Sequence, residues 1–388
     1  MQLHTRGGRP TLRTTAALSA AALVLAACGG GDDGGSGGGG GTSEAASATS
    51  LEDFGDLDAL VEAAQAEGTL NVIALPPDWA NYGEMIETFG EKYGIEVVST
   101  LPDGSSQDEL NAVTSQRGQD RAPDVLDLGT PFHHQAQAQD LLAPYQVQTW
   151  DEIPEGQKDP EGHWVNDYGG YVSIGCNAAT VAVCPTTFAE LLDPQYAGLV
   201  ALNGNPTQAT AAFSGVWAAS LANGGSLDDI GPGVDFFRQV KDVGNFNPVE
   251  ITPATILSGE TPISIDWDYN NAGLTDDLAD QGAQWQVAVP SDGLFGGYYN
   301  QGINAFAPHP AAARLWQEFL YSDEGQNIWL RGGARPVRLA AMEDAGTADA
   351  EALAALPPVE GTAEFPTAEQ ETAARDVVAE RWNTEMSG

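Results

Sequence analysis

The stretch TLNVIALPPDWANYGEMIETFGEKYGIEVVST, residues 69–100, decides the fold class. It begins with one strand-like apolar run, TLNVIAL, and ends with another, IEVVST. Between them, NYGEMIETFGEKYG places Met85, Ile86 and Phe89 on one face of a predicted helix. A strand, a helix and a strand at this spacing predict parallel strands joined by a right-handed crossover, as in an α/β fold.

Similar elements flank this stretch. A helix is predicted over 56–68, ended by Gly68, and another over 106–118, opened by Ser106. Strands are then predicted over 124–129, 261–266 and 284–290, and helices over 185–192, 209–225, 233–244, 309–333 (one helix running into another) and 367–383. The roughly 340 residues after the N-terminal segments suit two domains better than one core.

Residues 1–28 have the pattern of a bacterial export signal. Three arginines precede an apolar run that is too short to span a bilayer comfortably, and the run ends in Leu25-Ala26-Ala27-Cys28. This ending resembles the lipobox of bacterial lipoproteins, which implies cleavage before Cys28 and lipid attachment to it. The alternative is an ordinary secretory signal with an incidental cysteine.

Residues 29–52 are rich in Gly and Ser and predict a flexible tether. No later segment is apolar for long enough to cross a membrane. We therefore expect a body outside the cytoplasm, held to the outer face of the bacterial cytoplasmic membrane by its lipid anchor alone.

Cys176 and Cys184 are the only cysteines after Cys28, and they flank a short loop. Because disulfides persist outside the cytoplasm, we predict that these two are bonded. Two buried free thiols are the alternative. The spacing is not CxxC and no histidine accompanies it, so a metal or redox role is not favoured.

The chain is strongly acidic, with 55 Asp and Glu against 15 Lys and Arg and a formal net charge of −40. Such a charge favours solubility and repels nucleic acid, so no nucleic-acid partner is expected. Outside the Gly-rich tether the sequence has no GxSxG motif, and it has no HExxH or Walker motif, so no enzyme activity, metal or cofactor is predicted. His133-His134 is interpreted as a solvated or hydrogen-bonded loop pair. A secreted hydrolase with paired carboxylates stays open as an alternative.

Four stretches carry a family resemblance: AEGTLNVIAL (66–75), YGGYVSIGCN (168–177), TTFAELLDPQYAGLVALNGNP (186–206) and NQGINAFAPHPAAARLWQEFLYSDEGQ (300–326). In this order, the stretches resemble those of the extracytoplasmic solute-binding proteins of ABC importers, which have the type II periplasmic-binding-protein fold. Within that family, the chain most resembles the subgroup of ferric-iron and polyamine-like binders. The resemblance implies two lobes, each a mixed sheet flanked by helices, joined by a hinge of crossing strands. Lobe one is expected over 53–172 and 301–388, and lobe two over 173–300. A small solute, a membrane-embedded ABC permease and a monomeric state are implied with it.

The ligand site is expected in the cleft between the lobes, because ligands of open α/β sheets lie beyond the carboxyl ends of strands. The stretch ISIDWDYNN (263–271) places two carboxylates and two aromatic rings directly after a buried strand. The predicted ligand-binding residues are Asp78, Trp79, Tyr82, Ser105, Ser106, Thr130, Thr207, Asp266, Trp267, Asp268, Tyr269 and Tyr298. The alternative is that the rings belong to the core and that the polar residues cap helices.

Aromatic rings beside carboxylates suit an organic cation, and a polyamine-like solute is the predicted ligand. Ferric iron is one alternative, although the Tyr-Tyr pair of the family's iron binders is replaced here by Asp268-Tyr269. A phosphonate or sugar phosphate is another, since Ser105 and Thr207 precede predicted helices, whose N-termini attract anions.

Overall fold

The computed structural model describes residues 41–387 except Thr362 and Glu364, with no account of the side chains of residues 41–43. The predicted signal peptide, the lipid attachment at Cys28 and the tether up to residue 40 lie outside the described residues.

The described residues form ten strands. They are β1 (Thr69–Ile73), β2 (Glu96–Thr100), β3 (Val125–Gly129), β4 (Leu142–Ala143), β5 (Val165–Asn177), β6 (Val200–Leu202), β7 (Ile263–Trp267), β8 (Trp285–Ala288), β9 (Gly296–Asn304) and β10 (Arg335–Pro336).

Fifteen helices surround these strands in the described part of the chain. They are α1 (Gly41–Ser47), α2 (Leu57–Glu67), α3 (Tyr82–Tyr93), α4 (Ser106–Ser115), α5 (Thr130–Ala138), α6 (Thr210–Ala222), α7 (Gly231–Asp242), α8 (Pro253–Ser258), α9 (Asp268–Gly273), α10 (Thr275–Asp280), α11 (Pro310–Leu320), α12 (Asp323–Arg331), α13 (Leu339–Ala345), α14 (Ala350–Ala355) and α15 (Ala368–Met386).

Local signals in the sequence explain where several helices begin and end. The Asp56 side chain accepts a hydrogen bond from the Ala59 N–H and so caps α2. Gly68 ends the same helix with φ of 74°, a left-handed conformation that glycine adopts without steric cost. The split of 309–333 into α11 and α12 is confirmed. The helix predicted over 185–192 is wrong in extent, because only a 3-10 turn, Ala189–Leu192, forms there.

The sheets are mixed, as the predicted fold class requires. β1 and β2 pair in parallel, which confirms the arrangement predicted from residues 69–100. In the larger sheet, five strands follow the order β3-β9-β5-β7-β6. There β3 pairs antiparallel with β9, whereas β6 pairs in parallel with β7.

Strand β5 connects the two halves of the larger sheet. Its residues 165–171 pair with β9, and its residues 172–176 pair with β7. A strand that crosses between two lobes must change its partner strands in this way. The change near residue 172 therefore supports the lobe boundary at 172/173, which stays a proposal. Just beyond the exchange, Cys176 and Cys184 form a disulfide with a Cα–Cα distance of 5.8 Å, so that prediction is confirmed.

The segment 41–52 does not behave as the predicted tether. Ala45 and Ala48 are buried, and the Arg314 Nε–H donates to the Ala48 carbonyl at 2.8 Å. The Arg314 Nη2–H donates to the Ala46 carbonyl at 3.0 Å. A buried guanidinium needs such acceptors, so it holds this segment on α11 although Gly and Ser dominate the preceding residues.

No described helix combines the length and the apolar character that are needed to span a membrane.

Candidate functional site

A cavity of about 600 Å³ lies where the carboxyl ends of β1, β2 and β6 meet the first turns of α4 and α6. We call it the acidic cavity. Its lining residues are Ala74, Pro76, Asp78, Trp79, Asp103, Gly104, Ser105, Ser106, Glu109, Asp127, Phe132, Asn203, Gly204, Gln208, Ala209, Thr210, Ala211, Glu250, Ile251, Thr252, Pro253 and Tyr299.

The lining carries one sign of charge. Five of the described lining residues are Asp or Glu, and none is Lys, Arg or His. Asp78, Asp103 and Glu250 are exposed, whereas Glu109 and Asp127 are buried. The cavity therefore has exposed acids and two buried ones without a basic neighbour in its lining.

The two buried acids are in direct contact. The Asp127 backbone N–H donates to Glu109 Oε2 at 2.9 Å, and the Tyr168 hydroxyl donates to Asp127 Oδ2 at 3.0 Å. Asp127 Oδ1 has no hydrogen-bond partner among the described residues. Burial raises the pKa of Asp127 to about 6, and burial together with the Asp127 charge raises the pKa of Glu109 well above its usual range.

A third acid lies behind these two. Asp167 is fully buried and accepts hydrogen bonds from the Tyr168 N–H at 2.7 Å and from Gln301 Nε2 at 3.1 Å. Burial and the neighbouring Asp127 charge raise the pKa of Asp167 well above its usual range. Gln301 Nε2 also donates to the Tyr82 hydroxyl at 3.0 Å. Tyr82, a predicted ligand residue, thus supports the cavity floor from behind and does not line it.

Two aromatic rings complete the acidic cavity. Trp79 and Tyr299 meet edge to face with ring centroids 5.7 Å apart. The Trp79 Nε1–H donates to the Tyr168 hydroxyl at 2.8 Å, which fixes the indole orientation. Tyr269 lies behind Trp79, with its ring centroid 5.8 Å from the indole. The exposed ring faces are therefore held in place before any ligand arrives.

The first turns of α4 and α6 approach each other at Gly129. Ser106 Oγ accepts from the Gly129 N–H at 3.1 Å, and a side chain at Gly129 would come within 3.0 Å of Thr210 Oγ1. Ser105 acts as the cap of α4, because its hydroxyl donates to Asp108 Oδ2 at 2.7 Å and accepts from the Asp108 N–H. The capping alternative is thus confirmed for Ser105, although this residue also lines the cavity.

The stretch 266–269 turns out differently from the prediction. Asp268 is fully buried, forms an ion pair with Arg335 and accepts from the Tyr171 N–H at 2.9 Å. Its charge is matched inside the protein, so its predicted pairing with a ligand charge is not supported. Asp266 accepts from Asn203 Nδ2 at 2.7 Å and lies behind the lining, and burial raises its pKa to about 7.

The remaining predicted residues divide between two places. Thr207 lines neither of the two cavities described here, and its hydroxyl donates to Asn205 Oδ1 at 2.9 Å within a turn.

Thr130, Trp267 and Tyr298 line a second cavity of about 620 Å³, which we call the aromatic cavity. Its lining residues are Thr130, Pro131, His133, His134, Glu155, Gly156, Gln157, Lys158, Pro160, Trp164, Asn166, Thr210, Phe213, Ser214, Trp267, Phe295, Gly296, Gly297, Tyr298, Phe365, Pro366, Thr367, Ala368, Glu369, Glu371 and Arg375.

The interpretation of His133-His134 as a solvated or hydrogen-bonded loop pair is wrong. Both residues belong to α5, and His133 is buried with neither ring nitrogen hydrogen-bonded in the described structure. The His133 ring packs on Trp164 with centroids 4.2 Å apart. Burial lowers the pKa of His133 well below its usual value, so the ring is neutral at physiological pH. Across the described residues, no group of three or more His, Cys, Asp or Glu is placed to hold a metal ion.

Sequence reasoning missed Glu109, Asp127 and Asn203 as lining residues. One signal was present, since DVLDLG places a carboxylate inside an apolar strand, the pattern that drew attention to Asp266. Glu109 gives no such signal, because an acidic residue in a helix is ordinary until the packing around it is known.

A model of the bacterial extracellular solute-binding protein family matches residues 120–359, more than half of the chain. No curated protein is significantly similar to the chain in sequence.

Several solved structures share the fold. AfuA from Actinobacillus pleuropneumoniae, with exogenous fructose-6-phosphate bound, has a TM-score of 0.61 at 19% identity over 81% of this chain and 97% of that one. Iron-bound HitA from Pseudomonas aeruginosa has a TM-score of 0.58 at 19% identity over 80% and 99%. An ABC transporter substrate-binding protein from Bradyrhizobium japonicum USDA 110 has a TM-score of 0.64 at 15% identity over 82% and 100%.

These neighbours have the type II periplasmic-binding-protein fold. The family and its neighbours are binding proteins rather than enzymes. The hypothesis of a secreted hydrolase is therefore removed. The family match covers β3, the crossing strand β5, β9 and the whole of the segment between them. The chain belongs to the bacterial extracellular solute-binding proteins, which bind small ligands and deliver them to ABC permeases.

Proposed function

We propose that this protein captures a small organic cation, of the polyamine type, in the acidic cavity and delivers it to its permease. The observation that carries the proposal is the charge of the lining: five carboxyl groups and, among the described lining residues, no basic one. A cation is the ligand that such a lining attracts and pairs with.

The floor gives the cation a specific position. Among the described residues Asp127 Oδ1 lacks a partner, and the Glu109 carboxyl accepts a hydrogen bond from the backbone N–H of the same aspartate. A buried acceptor without a donor destabilises the ligand-free protein, and an ammonium group with up to three N–H donors would satisfy it.

The rings and the outer acids suit an extended molecule with amines at both ends. Trp79 and Tyr299 present ring edges and faces near the floor, and a ring face attracts an ammonium that has lost its water. Asp78, Asp103 and Glu250 are exposed and can pair with a second amine farther out. The volume of about 600 Å³ lies in the usual range for small-ligand pockets.

An anionic group is the second candidate, and one observation favours it. Ser106 and Thr210 begin α4 and α6 and converge on Gly129, and helix N-termini attract phosphate or carboxylate. AfuA binds fructose-6-phosphate. The acids of the same lining oppose a dianion, so we rank a sugar phosphate or phosphonate second. Ferric iron, the ligand of HitA, ranks third.

The test is mass spectrometry of small molecules released from gently purified protein, followed by calorimetry with spermidine, putrescine, ferric citrate, fructose-6-phosphate and a phosphonate. Spermidine or putrescine should bind, and the recovered solute should be an unmodified amine. Tight binding of fructose-6-phosphate or the phosphonate, with both amines inert, would overturn the cation proposal and move attention to Ser106 and Thr210.

We also propose that the protein is anchored through a lipid on Cys28. The sequence pattern and the extracellular character of the family support this proposal. Cys28→Ala should release the protein into the medium or leave it unprocessed. Cell fractionation after a salt wash measures this, and membrane retention of a variant that has lost its signal peptide would contradict the anchor. The monomeric state stays a prediction.

A further inference from the structure

The aromatic cavity has no role in the cation proposal. It lies between α5, α6, β9 and the first turns of the C-terminal helix α15. Its wall includes the rings of Trp164, Phe213, Trp267, Phe295 and Tyr298. Apolar walls of this kind with a few polar atoms are typical of small-molecule sites.

Unpartnered polar atoms are concentrated in this lining. Trp267 Nε1 and Glu371 Oε2 have no hydrogen-bond partner in the described structure, and their residues are 3% and 7% exposed. Both ring nitrogens of His133, at 2% exposure, are in the same condition, and so is Gln157 Oε1. Each such atom costs free energy unless something binds to it, and buried polar groups are normally satisfied.

Arg375 supplies the charge. Its guanidinium lies over the Phe213 ring, 4.3 Å from the ring centroid. Its Nε and Nη2 atoms are both buried and have no hydrogen-bond partner among the residues that the structure describes. These two N–H groups form one edge of the guanidinium, the edge that binds a carboxylate through two parallel hydrogen bonds.

The other titratable side chains of the lining do not cancel this charge. Glu371 lies one helical turn before Arg375, and burial raises its pKa to about 8, so it is protonated at neutral pH. Lys158 is paired with Glu155 at 3.2 Å. Burial lowers the pKa of His134, which leaves that ring neutral, and Glu369 is exposed to solvent. The interior of the cavity is therefore positive, in a chain with a net charge of −40.

We propose that the aromatic cavity is a second binding site, for a planar aromatic solute that carries one carboxylate. The carboxylate binds the free edge of Arg375, the ring packs among Trp164, Phe213 and Tyr298, and the Trp267 indole N–H donates to a ligand oxygen. The charge of this site is opposite to that of the acidic cavity, so the two proposals stand or fall separately.

The experiment is calorimetry of the full mature protein with benzoate, compared with benzamide, which keeps the ring without the charge, and acetate, which keeps the charge without the ring. Benzoate should bind more tightly than either. Arg375→Gln should weaken benzoate binding by about tenfold or more, as for a broken buried charge pair. Arg121→Gln removes an exposed guanidinium outside both cavities and should leave the affinity unchanged.

A second readout covers the case in which Arg375→Gln folds poorly. The indole ¹H–¹⁵N signal of Trp267, assigned with Trp267→Phe, should move when benzoate is added, because this N–H gains its first partner. Equal benzoate affinity in the wild type and Arg375→Gln, or an unmoved Trp267 signal at saturating benzoate, would overturn the proposal. Spermidine binding in the same samples reports on the acidic cavity alone, so failure of one site is distinguishable from failure of the other.

Discussion

The acidic and the aromatic cavity are of similar volume and share Thr210 in their linings, yet their chemistry is opposite. The acidic cavity takes its lining from strand ends and the first turns of α4 and α6, and it contains only acids as charged groups among the described lining residues. The aromatic cavity takes its positive charge from α15, at the far end of the sequence.

In both cavities, the candidate binding groups are identified by polar side-chain atoms that are buried without a partner among the described residues, and not by residue type. Asp127 and Arg375 both keep unpartnered atoms beside a cavity, whereas the equally buried Asp268 is fully matched by Arg335 and by backbone N–H groups. Three predictions test this distinction, and they follow in order of decreasing expected effect.

The largest effect is expected from removing the partner of Asp268. Arg335→Gln leaves a buried carboxylate without its counter-charge and should lower the free energy of unfolding by about 3–5 kcal/mol. Chemical denaturation measures this loss. Spermidine affinity of the folded variant should be unchanged, since neither residue of the pair lines the acidic cavity. A large loss of affinity without a loss of stability would return Asp268 to the ligand site.

Asp127→Asn addresses the opposite case, a buried acid without a basic partner. The amide keeps the shape and can still accept from Tyr168, but it cannot pair with a cation. Spermidine binding should weaken by roughly 2–5 kcal/mol, measured by calorimetry. Stability should not fall, because the change removes repulsion with Glu109 and Asp167.

The matched control is Asp344→Asn, which removes an exposed carboxylate outside both cavities. Unchanged spermidine affinity in Asp127→Asn would exclude Asp127 from the ligand contacts, and an effect of the same size in Asp344→Asn would reduce the role of the cavity acids to net charge.

The third prediction concerns pH. Burial raises the pKa of Asp127 to about 6, so the ligand-free floor holds protons that a bound cation must displace. Spermidine affinity should therefore rise with pH through about 6, by up to about tenfold per pH unit for each proton released. Calorimetry in two buffers of different ionisation enthalpy counts the protons, and an affinity that is flat between pH 5 and 7.5 would contradict a floor position for the cation.

The same carboxyl groups affect stability with the opposite sign. Because their folded-state pKa values lie above the unfolded values, the ligand-free protein binds more protons than the unfolded chain. The contribution of Asp127 to stability is therefore present at low pH and is lost as pH rises through about 6, and Asp127→Asn should reduce that loss.

Much of the fold follows from local sequence. The apolar periodicity of residues 69–100, the caps at Asp56 and Gly68 and the pairing of Cys176 with Cys184 were all predictable, because each depends on residues that are close in the chain. The antiparallel pairing of β3 with β9 was not, because β9 begins at Gly296 and enters the sheet from far along the chain.

Sequence patterns were enough to predict the succession of strands and helices, the disulfide, the family resemblance and four residues that line the acidic cavity: Asp78, Trp79, Ser105 and Ser106. Only the tertiary structure decided which acids keep a free charge. Asp127 lies within an apolar strand and Asp268 directly follows one, but of these two acids Arg335 pairs with Asp268. Charge pairing depends on contacts between residues distant in the chain, and no local pattern carries that information.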